Sequence, residues 1–329
     1  MTSRREFLCA AGALALASPI AASAQPSSGN WTTAAALPAP RSEDVVAAIG
    51  TTMYVAGGYV PPGPSPKVLE ASGHADVDGS LVQAYDATTN RWRTCAPLPK
   101  GLNHVGMVGS SGKLFTFGGF EAQNRDAVAD ANAYDPQSDR WMPLAPVPVK
   151  LGSISVADLH GAIHLVGGRD EHSVGVHHVY DPKTNRYANA APLPIGRDHM
   201  GLVAFDGKLY AIAGRIDDFD HNTSYVDVYD PAVDRWSSVA PMPSQRSGVA
   251  VALYRDRIFA IGGERRGGTF TNNEAFDPRT NSWSVFAPLP EGRHGTGAAV
   301  LGDSLYLPGG GPLNGGSMQS TTLFVFHLA

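Results

Sequence analysis

Between residues 248 and 288 the chain alternates short apolar runs with turn-forming residues: "GVAVAL" (248–253), "RIFAIGG" (257–263), "TNNEAFD" (271–277) and "SWSVFAP" (282–288). Runs of six or seven residues rich in Val, Ile and aromatics, bounded by Gly, Pro, Asn and Asp, have the pattern of β-strands. The links "DPQSDR", "DPKTNR", "DPAVDR" and "DPRTNS", which recur along the chain, join a third run to a fourth with Pro, Asn and Asp in the order that tight turns require. Four successive strands therefore form one unit.

That unit repeats. An aromatic residue is followed 27 positions later by the second member of a small-residue pair, six times over: Trp31 with Gly57-Gly58, Trp92 with Gly118-Gly119, Trp141 with Gly167-Gly168, Tyr187 with Ala213-Gly214, Trp236 with Gly262-Gly263 and Trp283 with Gly309-Gly310. Seven residues before five of these aromatics stands the ring of a Tyr-Asp or Phe-Asp pair: Tyr85, Tyr134, Tyr180, Tyr229 and Phe276. A period of about 48 residues with four short strands per period predicts the blades of a β-propeller. The chain ends complete the pattern. Trp31 has no tyrosine strand before it, and "TTLFVFHL" (321–328) has no tryptophan strand after it. Joining "NWTTAA" (30–35) to the blade built by residues 295–328 makes a sixth blade and removes the open edges. The expected fold class is all-β: a six-bladed propeller whose N-terminal strand closes the ring on the C-terminal blade.

Through the doublet that ends the second strand and the Tyr and Trp that follow it, the repeat resembles the kelch family over residues 30–329. It departs from that pattern at Tyr187 and Ala213, which makes the fourth blade the least regular. Glycine at the doublet has a physical reason, since it reaches positive φ and lets another backbone come close. The large rings suit the space between blade faces. The resemblance implies a family dominated by noncatalytic binding, some members of which hold acidic peptides with arginines at strand starts and after the doublet. The exported six-bladed sialic acid mutarotases are similar in layout and compartment. Galactose oxidase shares kelch repeats, but its copper chemistry needs seven blades and a cysteine crosslinked to a tyrosine. Here there are six blades, and Cys95 follows Trp92 on an outer strand, so that activity is rejected.

Composition narrows the classes further. With 43% hydrophobic and 17% charged residues the chain has ample material for a core. The first 24 residues read as an address: Arg4-Arg5 with Phe7-Leu8, the apolar run "AAGALALASPIAA" and Ala22-Ser23-Ala24 resemble a twin-arginine export signal cleaved before Gln25. The apolar run is too short to span a bilayer. Cleavage leaves residues 25–329 as a single propeller domain with 23 Lys and Arg against 29 Asp and Glu, a formal charge of −6, which gives no reason to expect nucleic acid. Only Cys95 survives cleavage, so an internal disulfide is excluded. A periplasmic or secreted monomer, with no membrane contact once the leader is gone, is expected.

The chemistry is expected at one end of the channel. The start of each first strand and the end of each second strand share an edge of the propeller. Ten residues after the aromatic stand Arg41, Leu102, Leu151, Arg197, Arg246 and Arg293; directly after the doublet stand Tyr59, Phe120, Arg169, Arg215, Glu264 and Gly311. His104, His199 and His294 lie one or two residues past the first row. The connectors after the doublets vary in length, and insertions on one face of a repeat protein often mark its binding face. The largest, residues 59–79, is placed to lie over the channel mouth. This reading makes Arg41, Arg169, Arg197, Arg215, Arg246, Arg293, Tyr59, His104 and His294 ligand-binding, and His199, Asp198 and Glu264 the residues for proton transfer. Forked guanidinium bonds would select an anionic small molecule, glycan or acidic peptide. The competing reading is that the arginines tie down loops or pair with Glu43, Asp198 and Glu264. His164, His172, His177 and His178 show no recurring ligand spacing, so neither a metal nor another cofactor is expected. Two functions follow: an exported binding protein, or a cofactor-independent mutarotase acting on an acidic sugar such as N-acetylneuraminate.

Overall fold

The computed structural model describes residues 29–60, 79–316 and 318–328. The leader and nearly all of the connector 59–79 lie outside the described residues. Among the described residues six four-stranded antiparallel sheets follow one another along the chain, five of them meanders in chain order and the sixth completed by the N-terminal strand. The strands read between 248 and 288 are Ala250–Tyr254, Arg257–Ile261, Asn273–Asp277 and Ser282–Val285. The first strands of the six blades, Val45–Ile49, Gly106–Ser110, Ser155–Leu159, Gly201–Phe205, Ala250–Tyr254 and Ala299–Leu301, pack side by side around a central channel, and the last touches the first.

The ring closes as the chain ends demand. Asn30–Thr33 adds to Leu323–His327 as the outer strand of the sixth blade, with Trp31 opposite Phe326. That pairing supplies the sixth cross-strand ring pair, here from the two ends of the chain. In the other five blades, Tyr85 faces Trp92, Tyr134 faces Trp141, Tyr180 faces Tyr187, Tyr229 faces Trp236 and Phe276 faces Trp283. A Pro-Asn-Asp turn between two strands puts these rings across from each other; for Tyr180 and Tyr187 the centroids are 5.0 Å apart. The turns work as their sequences require. Asp181 and Asp277 each accept a hydrogen bond from the backbone two residues on, and Asn185 and Asn281 take positive φ.

Each outer aromatic also bolts its blade to the preceding one. Trp92 Nε1 donates to Ala35 O, Trp141 to Ala96 O, Trp236 to Ala191 O, Trp283 to Ala240 O and Trp31 to Ala287 O, at 2.7–3.0 Å. Tyr187 keeps the bolt with its hydroxyl, which donates to Ala145 O at 3.0 Å, so this departure from tryptophan preserves the contact. The other departure carries strain, because Ala213 adopts φ 62°, a region that costs an L-residue about 1–2 kcal/mol. Glycine is needed at this position elsewhere for closeness as well: a Cβ on Gly57 would sit 2.6 Å from Leu102 O of the next blade.

His164 and His177, two of the four histidines between 164 and 178, are core residues. Both are buried, with His164 Nδ1 2.8 Å from His177 Nε2 and His177 Nδ1 3.0 Å from Ala191 O. The carbonyl fixes the proton on His177 Nδ1, so His177 Nε2 accepts from His164. His178 is also buried, beside Asn189, while His172 is exposed beside Asp217.

Candidate functional site

The two rows of residues read from the repeat do meet at one end. Short β-bridges join Ser42 to Tyr59, Asn103 to Phe120, Gly152 to Arg169, Asp198 to Arg215, Ser247 to Glu264 and His294 to Gly311. One residue further on, every blade turns into the channel through a left-handed residue: Glu43, His104, Ser153, His199, Gly248 and Gly295, with φ between 51° and 61°. Backbone hydrogen bonds pass from blade to blade through this row, from His104 N to Glu43 O, Ser153 N to His104 O, Gly248 N to His199 O and Gly295 N to Gly248 O. A left-handed Glu or His is uncommon and strained, and such positions concentrate at functional sites. The row lines a cavity of about 180 Å³ at the channel mouth, polar along Glu43, His104, Ser153 and His199 and bare along Gly248 and Gly295.

The arginine rim expected from the sequence is corrected by the geometry. Arg41, Arg197, Arg246 and Arg293 are at most 2% exposed and turn back into their own blades rather than toward the channel. Arg197 donates to Ala213 O and Ala211 O, Arg41 to Gly57 O and Val55 O, and Arg246 to Ala260 O. The charge is met by a residue of the third strand, two before its ring: Asp227 at 2.8 Å from Arg197 and Glu274 at 2.7 Å from Arg246. Arg293 lies over the Phe324 ring and pairs with Glu291. Arg41 has Gln83 in the corresponding place, its Nε and Nη2 make no hydrogen bond, and burial lowers its pKa to about 10 despite Asp44. Arg169 is spent on loop carbonyls of Asp217, Glu171 and Asp170. These arginines hold strand ends and loops, the reading that stood beside ligand contact.

Arg215 alone of the six enters the mouth cluster. Its Nη2 donates to His199 Nε2 at 2.9 Å, its Nη1 to Glu264 Oε1 at 3.0 Å, and its Nε lies 3.3 Å from Asp198 Oδ1. Asp198 also accepts from His199 Nδ1 and Ser173 Oγ. His199 is thus neutral, with its proton on Nδ1; burial and Arg215 lower its pKa to about 4. Burial opposes the charge on Asp198, but His199 and Arg215 hold it below the usual carboxylate range. The sequence trio Arg197-Asp198-His199 therefore divides, the arginine to the blade and the other two to the channel.

Glu43, which the repeat spacing does not bring into the predicted site, stands at its centre. Its Oε1 is 3.0 Å from His294 Nε2 and its Oε2 is 3.0 Å from His104 Nε2, so it joins the first, second and sixth blades. Gly295 makes room for it, since a Cβ there would fall 2.7 Å from the Glu43 carboxyl carbon. Burial opposes ionisation of Glu43, but His104 and His294 hold it well below the ordinary range. His294 gives its Nδ1 to Gly311 O at 3.0 Å and directs Nε2 at Glu43 and, at 3.3 Å, Glu264 Oε2. Against the effect of burial those carboxylates raise His294 to about 9, while burial raises Glu264. Glu264 Oε2 also accepts from Gly315 N. Tyr59 stands behind this group, its hydroxyl bonded to Asn103 Oδ1 and its ring 6.1 Å from that of His104. Glu43 was findable as the acid at the left-handed position, two residues past the arginine, where the second and fourth blades carry His104 and His199.

The Kelch motif family model matches residues 196–243 and 245–290. Among curated proteins, the Kelch-like protein terF of Aspergillus terreus (strain NIH 2624 / FGSC A1156) is 32% identical over 83 residues, which is 25% of this chain and 16% of that protein. Among solved structures, the one titled "Structure of YjhT" superposes with a TM-score of 0.74 at 17% identity, over 89% of this chain and 96% of that one. At that identity the superposition speaks for the fold.

Proposed function

We propose that this six-bladed kelch-repeat propeller is a binding protein that takes a small, hydroxyl-rich ligand, of the size and chemistry of a monosaccharide, at the mouth of its central channel. The observation that carries this reading is the left-handed row, which brings Glu43, His104, Ser153 and His199 to one 180 Å³ cavity. Ser153 Oγ is buried without a hydrogen-bond partner, and a buried hydroxyl of that kind costs about 1–3 kcal/mol until water or ligand meets it. The field there is not cationic. Arg215 and His294 stand against Asp198, Glu43 and Glu264, so the geometry favours a neutral polyol over the anionic ligand that a ring of arginines would select. We keep with this reading the export expected from the leader, which would present the site outside the cytoplasm.

A second reading has its own observation. Asp198 with His199 on one side of Arg215 and Glu264, His294 and Glu43 on the other put two acid–base groups at the same mouth, the arrangement that proton transfer at two positions of a sugar ring needs. One set of samples separates the two. Calorimetric titration of the full chain with a neutral hexose and with N-acetylneuraminate should show saturable binding of the neutral sugar, weakened about tenfold or more by Glu43→Gln and by Ser153→Val. NMR of the same sugars reads anomer exchange. A rate above buffer that His199→Ala abolishes supports the isomerase, and saturable binding at the buffer rate supports the binding protein. Absence of binding in every titration removes both.

A further inference from the structure

We propose that Glu43, Glu264 and His294 form a binding site for one divalent transition-metal ion, of the zinc, manganese or iron(II) class, where the first, fifth and sixth blades meet. Their ligand atoms lie within 4.8 Å of one another. His294 Nε2 is 3.0 Å from Glu43 Oε1 and 3.3 Å from Glu264 Oε2. Bonds of 2.0–2.2 Å to a tetrahedral ion place neighbouring ligand atoms roughly 3.3–3.5 Å apart, so the three need shift only by a few tenths of an ångström to receive it. The outer contacts have the form of a metal site as well. Gly311 O holds His294 Nδ1–H and so turns Nε2, the atom whose proton an ion would displace, toward the carboxylates, while Arg215 and Gly315 N fix the orientation of Glu264.

A second observation points to an ion rather than to an ion pair alone. His104 Nε2 is buried and 3.0 Å from Glu43 Oε2, yet makes no hydrogen bond there. The second oxygen of Glu43 is therefore not committed to a hydrogen bond, which leaves the carboxylate free to turn toward an ion held with Glu264 and His294. His104 itself stands on the far oxygen of Glu43, grouped with His199 and outside the three-ligand set, so the ion takes its fourth position from water, with Glu43 opening to the channel cavity as the route of entry. Two carboxylates and imidazole nitrogen suit the borderline divalent ions and exclude copper(I), which prefers sulfur. A divalent ion takes the place of the proton between His294 and the two carboxylates, and their combined charge is then balanced. His199 stays outside the set because Arg215 occupies its Nε2.

The test uses the full chain, stripped with chelator and titrated with Zn²⁺ by calorimetry, with Co²⁺ as a spectroscopic probe. The expected result is one equivalent of Zn²⁺ and a visible Co²⁺ spectrum of a four- or five-coordinate site. Glu264→Gln and His294→Gln should each weaken binding by tenfold or more, and His172→Ala, which alters an exposed histidine, should leave it unchanged. Far-ultraviolet circular dichroism confirms that each variant is folded, and Glu264→Gln, which keeps shape and hydrogen bonding, serves if His294→Gln unfolds. Substoichiometric binding by the wild type, or binding untouched by both substitutions, overturns the proposal. The result is independent of the carbohydrate reading: zinc without sugar binding leaves the metal site standing, and sugar without zinc removes it.

Discussion

A single repeat position can carry opposite chemistry depending on where its side chain turns. Arg197 and His199 are two residues apart, yet the first points along its blade to Asp227 and the second into the channel. The local signal was in the chain, because Arg197 and Arg246 have an acid two residues before the Tyr or Phe of the same blade, whereas the second blade has Leu102 with Asn132. In these two blades the paired letters mark a blade-internal ion pair, while Arg41 with Gln83 and Arg293 with Phe324 lack the acid, and spacing gives the location of a residue and not its direction. A consequence can be measured. Arg197→Leu strands a buried carboxylate and should lower stability by about 3–5 kcal/mol in urea unfolding at pH 7. Adding Asp227→Asn, which copies the second blade, should recover most of that loss. A single substitution costing under about 1 kcal/mol, or a double no better than the single, would show that the guanidinium does not depend on Asp227.

Between blades, what matters is how one element grips the next. The third and fourth blades meet at His164 and His177, with Tyr229 and Trp236 against their rings. Burial lowers both pKa values to about 4; Asp158 and Asp234 counter it slightly and His178 adds to it. The unfolded chain therefore binds more protons than the folded one from about pH 6.5, the ordinary histidine value, down to about 4. Stability should fall with pH across that window by up to about 1.4 kcal/mol per unit for each histidine. Chemical unfolding at several pH values measures it, and replacing both residues with leucine should make that part of the profile shallower, leaving the share of His199, which burial and Arg215 lower to about 4 as well. A profile equally steep in the double variant would place the sensitivity elsewhere. At this scale the sequence was informative, since the seven-residue ring spacing is a cross-strand register and the doublet is a close backbone approach. The tyrosine bolt at 187 was hidden because chemistry, and not the letter, is what the blade interface repeats.

At the scale of the whole molecule, six copies made the architecture legible, and the incomplete ends made its closure legible too. The site was legible in place but not in composition: repetition indicated which end of the channel, while the contents depend on left-handed residues that differ in every blade. The closure itself can be tested. Removing residues 29–36 deletes Trp31 and bares the strand Leu323–His327, whose free edge should drive concentration-dependent association in size-exclusion chromatography. A synthetic peptide of residues 29–36 added in trans should reverse it. A truncated chain that stays monomeric and as stable as the parent would mean that the seam contributes nothing to holding the ring.

The position of that seam also sets a timetable. Asn30–Thr33 is synthesised long before its partner Leu323–His327, with five blades of chain between them. Those five blades are able to form while synthesis continues, but the final circle waits until Leu323–His327 has been made, so the intervening chain must be kept from straying before Asn30–Thr33 finds its place.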